Sequence, residues 1–381
     1  MGIVKYFPEG IALGDAFINR NDERKTLISR IKSTKHTVLM APRRYGKTSL
    51  VIKVANEMNI PYCSMDFLAA YNEGYVRDQI LDKVGHLVLE LLPKVKKAKD
   101  KVISIFKQMK PEISIGAFGQ KLKLDLSNRP LNDITDTLLK LDETARHFKK
   151  RAAIFFDEFQ QISKLKNYHS IEASIRPIEA SIRHAVERST NISYVFSGSN
   201  RRLLSQMFGD QGRPLYRLCQ IITIERIDKQ HYVRRLQKLA KLKWKKELCA
   251  DVIEQIFYQT EMHPYYINIL CQLLWEYDYI ATIDVVDSTW CNYVKTQRQL
   301  ISSDTMELSI NQRKVISVLA KTPSKEIQSA DFISPLKISA SSAQQAADVL
   351  IRKDLVYQNS EGLYCVLDPA MRFYLDVVLW K

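Results

Sequence analysis

No stretch of this sequence approaches the roughly 18 consecutive apolar residues of a membrane span, and none of it needs a bilayer. Its beginning, MGIVKYFPEGIALGDAFINR, lacks the basic segment and apolar segment of a secretory leader. The expectation is a soluble, cytoplasmic protein with no membrane partner. Cysteine is sparse and scattered: Cys63, Cys219, Cys249, Cys271, Cys291 and Cys365 form no C-x-x-C pair and have no histidine at metal-ligand spacing. That argues against a zinc module or a disulfide scaffold and suits buried thiols in a reducing compartment. Glycine and proline number only 12 each, while 46% of residues are hydrophobic and 26% charged, so the chain is neither collagenous nor disordered. Acids are outnumbered, 42 against 57 bases, for a net charge of +15. Such an excess invites a polyanionic partner. It lies within the first 300 residues, because residues 301–381 carry nine of each sign.

At 381 residues the chain exceeds one ordinary domain, and about two or three compact units are expected. Apolar runs at 37–40, 60–67, 152–156 and 192–196 read as strands, and helical patterns separate them. This is the signature of an α/β domain, a parallel sheet with helices on both faces that binds its ligand at the carboxyl edge of the strands. Residues 112–126, EISIGAFGQKLKLDL, alternate apolar and polar about two glycines and predict a hairpin inserted among the helices. A basic run occupies 94–101, and the hexapeptide IEASIR occurs at 171–176 and again at 178–183. Past residue 225 the pattern is helical, at 228–246, 249–260, 263–277 and 287–301, which predicts an all-α lid. Helices at 309–321, near 326–331 and at 340–352, then apolar stretches at 355–358 and 363–367, make a winged helix. The expected domains are therefore 1–225, 226–305 and 306–381.

The chemistry is concentrated at the ends of the strands. Ala41, Pro42, Arg43, Arg44, Tyr45, Gly46, Lys47 and Thr48, running into Ser49, join the strand at 37–40 to a helix and fit the phosphate-loop pattern GxxxxGK[ST]. That chemistry needs backbone N–H groups converging on phosphates at a helix start, a lysine to bridge them and a hydroxyl for Mg2+. Gly46, Lys47 and Thr48 supply these parts, so ATP and Mg2+ are the expected ligands. Asp157 and Glu158 follow the strand AAIFF, where an aspartate can order magnesium and a glutamate can polarise the attacking water. Ser199 and Asn200 end the next strand and suit either contact with the γ-phosphate or an ordinary helix cap. Arg201, Arg202, Arg213 and Arg217 follow, each a candidate for the γ-phosphate or for a solvated surface.

Together APRRYGKTS, FFDEFQQI, VFSGSNRRLLSQMF, RPLYR and HPYYINILC resemble the P-loop ATPases abundant in archaea and scattered through bacteria. These are related to the STAND signalling ATPases and, more distantly, to archaeal replication-initiator proteins. The likeness spans about residues 17–271, with a less specific winged-helix likeness at 309–367. It implies an AAA+ core, an ATP-driven switch and, often, a homo-oligomer. It also implies a Walker A role for Gly46, Lys47 and Thr48, and a Walker B role for Asp157 and Glu158. Sensor 1 falls on Ser199 and Asn200. Adenine contact falls on residues 17–23, Arg20 among them, and on Pro264 in the lid. Ala41 stands where the family's loop usually begins with glycine, and Asn19 stands where glycine usually precedes the arginine.

Two kinds of partner remain open. Residues 229–246 carry eight Lys and Arg and no acid, which suits double-stranded DNA bound without sequence preference. The winged helix, with zero net charge and Ser341, Ser342, Gln344, Gln345 and Arg352 on its recognition helix, is weakly equipped to read bases. A signalling ATPase whose partner is a protein accommodates that neutrality. A small-molecule kinase is disfavoured by the absence of an acceptor-site signature.

Overall fold

Residues 37–40, TVLM, are buried at every position, as a strand covered on both faces by helices must be. The computed structural model describes residues 6–93, 113–115, 122–124, 132–165, 177–359 and 361–378. The basic run at 94–101 and the first IEASIR copy lie outside them. The chain divides into two compact units, Arg20–Glu225 and a second formed by Met1–Asn19 with Arg226–Lys381. The first nineteen residues thus group with the C-terminal part of the chain.

In the Arg20–Glu225 unit the strands are β1 (Thr37–Met40), β2 (Tyr62–Asp66), the small β3 (Ile113–Ile115) and β4 (Leu122–Leu124), β5 (Ala152–Asp157), β6 (Ile192–Gly198) and β7 (Gln220–Thr223). Five form a parallel sheet in the order β2-β5-β6-β1-β7. β3 and β4 pair antiparallel, Ile113 opposite Leu124, in the expected hairpin. The helices are α1 (Asn21–Lys32), α2 (Lys47–Met58), α3 (Glu73–Leu91), α4 (Asn132–His147), α5 (Pro177–Arg188) and α6 (Arg201–Gly209). In α2 the buried Lys47, Leu50, Val51, Val54 and Ala55 recur at helical spacing. Neither α1 nor β7 stands out in the sequence. Only Leu27 and Ile31 of α1 are buried, and only Ile222 of the edge strand β7, so neither leaves a periodic apolar signal.

Two features anchor the sheet, the first at the amino edge of β6 and the second at the carboxyl edge that carries the motifs. Asp142, buried on α4, accepts the backbone N–H groups of Thr190, Asn191 and Ile192 at 3.0, 2.8 and 3.0 Å and so fixes the entry into β6. Beneath Asp157 and Glu158, Phe156, Phe159, Phe196 and Phe208 pack as an aromatic cluster, Phe159 lying 4.8 Å from Phe196 between ring centroids. Dense aromatic packing of this kind leaves the strand ends little freedom.

The second unit holds α7 (Lys229–Trp244), α8 (Ala250–Thr260), α9 (Pro264–Leu274), α10 (Ile283–Thr296) and α11 (Arg298–Met306). The single helix expected at 287–301 is two, meeting at Gln297. There follow α12 (Ile310–Lys321), opened by a Ser309–Gln312 capping box, α13 (Ala330–Ile333), α14 (Ala340–Arg352), the antiparallel pair β8 (Val356–Gln358) and β9 (Tyr364–Val366), and α15 (Pro369–Phe373). One apolar core runs from α7 through the winged helix and includes Phe7, set edge-on 5.0 Å from Trp275. Glu261, at the turn between α8 and α9, pairs with both Arg226 and Arg372, and Tyr266 donates to Asp368 at 2.5 Å. Among the described residues no helix is long and apolar enough to cross a membrane.

Candidate functional site

The turn from β1 into α2 is built to bring backbone N–H groups to a point. Arg44 and Gly46 take left-handed conformations, φ 63° and 84°, and the helix starts at Lys47. The first N–H groups of such a helix have no acceptor within it and face anions favourably. Lys47 is buried and donates from Nζ to the carbonyls of Ala41 and Pro42, at 3.2 and 3.1 Å. Its ammonium therefore stands inside the loop. Arg43 and Arg44 are exposed, while Pro42, Tyr45 and Ser49 are buried.

The loop meets the acidic strand end directly. Thr48 Oγ1 donates to Asp157 Oδ2 at 2.8 Å, and the other carboxylate oxygen accepts from Ser197 Oγ. Because β6 lies between β1 and β5, its polar end, Ser197 to Asn200, stands beside both the loop and the acids. Glu158 sits just past the strand in a left-handed conformation, φ 49°, which is uncommon for a side-chain-bearing residue and typical of functional turns. Its Oε2 accepts from Gln160 Nε2 at 2.6 Å and from Ser199 Oγ at 2.8 Å. Asp66, opposite Asp157 at the end of β2, has its carboxyl pushed above the usual range, first by desolvation and further by the negative charges of Asp157 and Glu158, against the Leu68 N–H that it accepts.

Several expected residues make contacts within the protein. Asn200 caps α6 by accepting from Leu203 N at 2.9 Å, the helix-cap alternative raised from the sequence. Arg20, buried with φ 70°, donates to the carbonyls of Tyr45 (3.2 Å) and Glu225 and to Glu23 Oε1 at 3.0 Å. It thereby braces the β1–α2 loop at Tyr45. Arg213 is committed to Glu179, which is fully buried, and Arg217 lies over the Tyr216 ring. Arg201 and Arg202 open α6, with Arg202 exposed. Pro264 is the first residue of α9, in the other unit.

Ser197, Gln160 and Asp66 were not singled out from the sequence. The available signals were a serine directly after the run Tyr194-Val195-Phe196 of β6 and a glutamine two residues after the acids. Burial pushes the Cys63 thiol up to about 12 and raises those of Cys219 and Cys271 as well, away from the reactive thiolate form. Among the described residues no group of three or more His, Cys, Asp or Glu side chains could hold a metal by itself.

A family model described as a probable winged helix domain matches residues 302–377. Among solved structures, the chain is similar to the Walker-type ATPase of Pyrococcus abyssi, at 17% identity and a TM-score of 0.68, covering 97% of this chain and 99% of that one. It is also similar to the ORC2 protein of Aeropyrum pernix in its ADPNP-ADP complexes, at 12% identity and a TM-score of 0.56, covering 98% and 96%. No curated protein matches the sequence. The chain thus shares the fold of these two structures, a five-stranded parallel sheet with helices, followed by C-terminal residues that match a winged-helix model.

Proposed function

We propose that the protein binds Mg-ATP at the β1–α2 loop, hydrolyses it, and uses the cycle as a switch. The observation that carries this reading is the 2.8 Å bond from Thr48 to Asp157, which joins the helix start of a phosphate loop to the acidic end of a second strand. The same fold serves a Walker-type ATPase in P. abyssi and takes ADPNP and ADP in A. pernix ORC2.

In this reading residues 41–49 wrap the phosphates, Lys47 moves from the loop carbonyls to the β- and γ-phosphates, and Arg20 keeps the loop in shape. Thr48 and Asp157 offer a hydroxyl and a carboxylate, hard oxygen donors side by side, which suits magnesium retaining several of its waters. Bound there, the ion would neutralise phosphate charge. Glu158 orients a water and accepts its proton as the water's oxygen bonds to the γ-phosphorus and the bond to ADP breaks. Ser199 and Asn200 line the same edge. The lid, 226–305, and the winged helix, 306–381, are the parts that answer the nucleotide state.

Two observations bear on the partner. On α7 and just beyond it Arg234, Lys238, Lys245 and Lys246 are exposed, a surface fit for a DNA backbone. Other cations of that stretch are paired, Lys229 with Glu254, Lys241 with Glu247 and Lys243 with Asp278, and Arg235 is bonded to the carbonyls of Asp15 and Tyr6. On α14, Gln344 bonds Gln328 and Asp348, which engages one of the few side chains there that could read bases. Turnover and ATP affinity of the wild type, Lys47→Ala and Glu158→Gln, with and without duplex DNA across a salt series, test the whole reading. Lys47→Ala should weaken binding, and Glu158→Gln should keep binding and lose hydrolysis. Stimulation by DNA, with affinity falling steeply as salt rises, selects the nucleic-acid partner. Turnover indifferent to DNA selects the protein partner, and a wild type that does not bind ATP sinks the proposal.

A further inference from the structure

Gln160 is 1% exposed, lies two residues beyond the Asp-Glu pair, and donates its amide to the same Glu158 oxygen that Ser199 holds. Its position is enforced from the other side. A Cβ at Gly198 would fall 1.8 Å from Gln160 Oε1 and 2.8 Å from its Cδ, with Leu204 Cδ1 next at 3.1 Å. Gly198 has no positive φ to explain it. The glycine is required because the glutamine amide fills the space where a side chain would begin.

The surroundings leave that amide little choice. The Gln160 carbonyl accepts from Ser163 Oγ at 2.7 Å, which pins the short helical turn from Phe159 to Lys164, and Phe159 anchors the same turn in the aromatic cluster. The turn that carries Gln160 is thus held by a backbone acceptor and by aromatic packing, and the amide itself is confined by Gly198 on one side and by its bond to Glu158 on the other. Glu158 itself takes the left-handed conformation, and its backbone N–H donates to Asp157 Oδ1 at 3.0 Å, while its carboxylate is held by Gln160 and Ser199.

We propose that Gln160, seated on Gly198, is a positioning residue for ATP hydrolysis: it fixes the Glu158 carboxylate at the angle from which the attacking water is activated. The inference rests on the ATPase reading above. Because Ser199 donates to the same oxygen, removing Gln160 loosens the carboxylate without releasing it. Displacement of a catalytic group by about an ångström can lower the rate by about a hundredfold, so a partial release should lower kcat by about tenfold. ATP binding, made by the loop, should stay as it is.

The test compares the wild type, Gln160→Ala, Gly198→Ala and the double variant in kcat, KM, ATP affinity and Tm. Gln160→Ala should lose about tenfold in kcat with KM and ATP affinity unchanged. Gly198→Ala should lose kcat to a similar degree and also lower Tm, since its new methyl drives out the amide. In the double variant the shortened side chain makes room, so Tm should recover in part while kcat stays as low as in Gln160→Ala alone. A Gln160→Ala protein with wild-type kcat, or losses that multiply in the double variant, would overturn the proposal while leaving the ATPase reading intact. A wild type that binds but never hydrolyses ATP would remove both.

Discussion

Replacing Arg20 by alanine asks whether that residue reads the nucleotide or holds the loop. Its guanidinium is buried and donates to three acceptors, of which only the Tyr45 carbonyl belongs to the phosphate loop. A hydrogen bond to a charged group is worth about 1.5–3 kcal/mol, and stranding buried carbonyls costs about 1–3 kcal/mol, so stability should fall by about 3 kcal/mol. The share felt by the nucleotide is the loop bond alone, about 1.4 kcal/mol, or about tenfold in Kd. Because no base contact is lost, ATP and GTP should weaken by the same factor. Arg20→Lys, which keeps the charge but not the fork, should recover only part of the loss. Calorimetric titration of both nucleotides into the three proteins decides it. If Arg20→Ala weakened ATP alone, the side chain would read adenine, as the family resemblance implies, and the loop-bracing argument would be refuted.

Other substitutions reach the scaffold. Asp142→Ala strips three backbone N–H groups at the start of β6 of their acceptor and should cost about 3 kcal/mol, read as a lowered denaturant midpoint without change in ATP Kd at temperatures where the fold persists. His36 fits its site as the neutral ring: Nδ1 accepts the Tyr194 N–H at 3.3 Å, and burial lowers its pKa below 6.5 despite the opposing Val186 backbone bond and Asp142. The unfolded chain then takes up a proton first, so this contribution to stability is complete above pH ~6.5 and is lost as pH falls through that value toward the folded pKa. His36→Gln should flatten the pH dependence of Tm in that window, and an unchanged slope would assign it to other groups.

What was legible from the sequence follows from how locally each signal is made. The phosphate loop is a contiguous run between a strand and a helix, and its strand, β1, is apolar throughout because both faces are covered. The same logic made β5 and β6 visible, and helical spacing of buried residues revealed α12 and α14 of the winged helix. The edge strand β7 and helix α1 were invisible because they bury one and two side chains respectively. The break at Gln297 was hidden because both helices around it share a continuous amphipathic pattern.

By itself the sequence determined the class of the fold and the position of the strand-to-helix turn that carries the phosphate-loop pattern, since backbone geometry at such a turn depends on the residues of that turn. Only the tertiary structure decided which side chains meet there. That Thr48 finds Asp157 across 109 positions of chain, that Asn200 caps a helix while Ser199 and Gln160 hold Glu158, and that Arg20 turns to the loop carbonyl all depend on strand order. A parallel sheet places neighbours by crossover, and no local spacing in the sequence encodes which strand end will stand beside which.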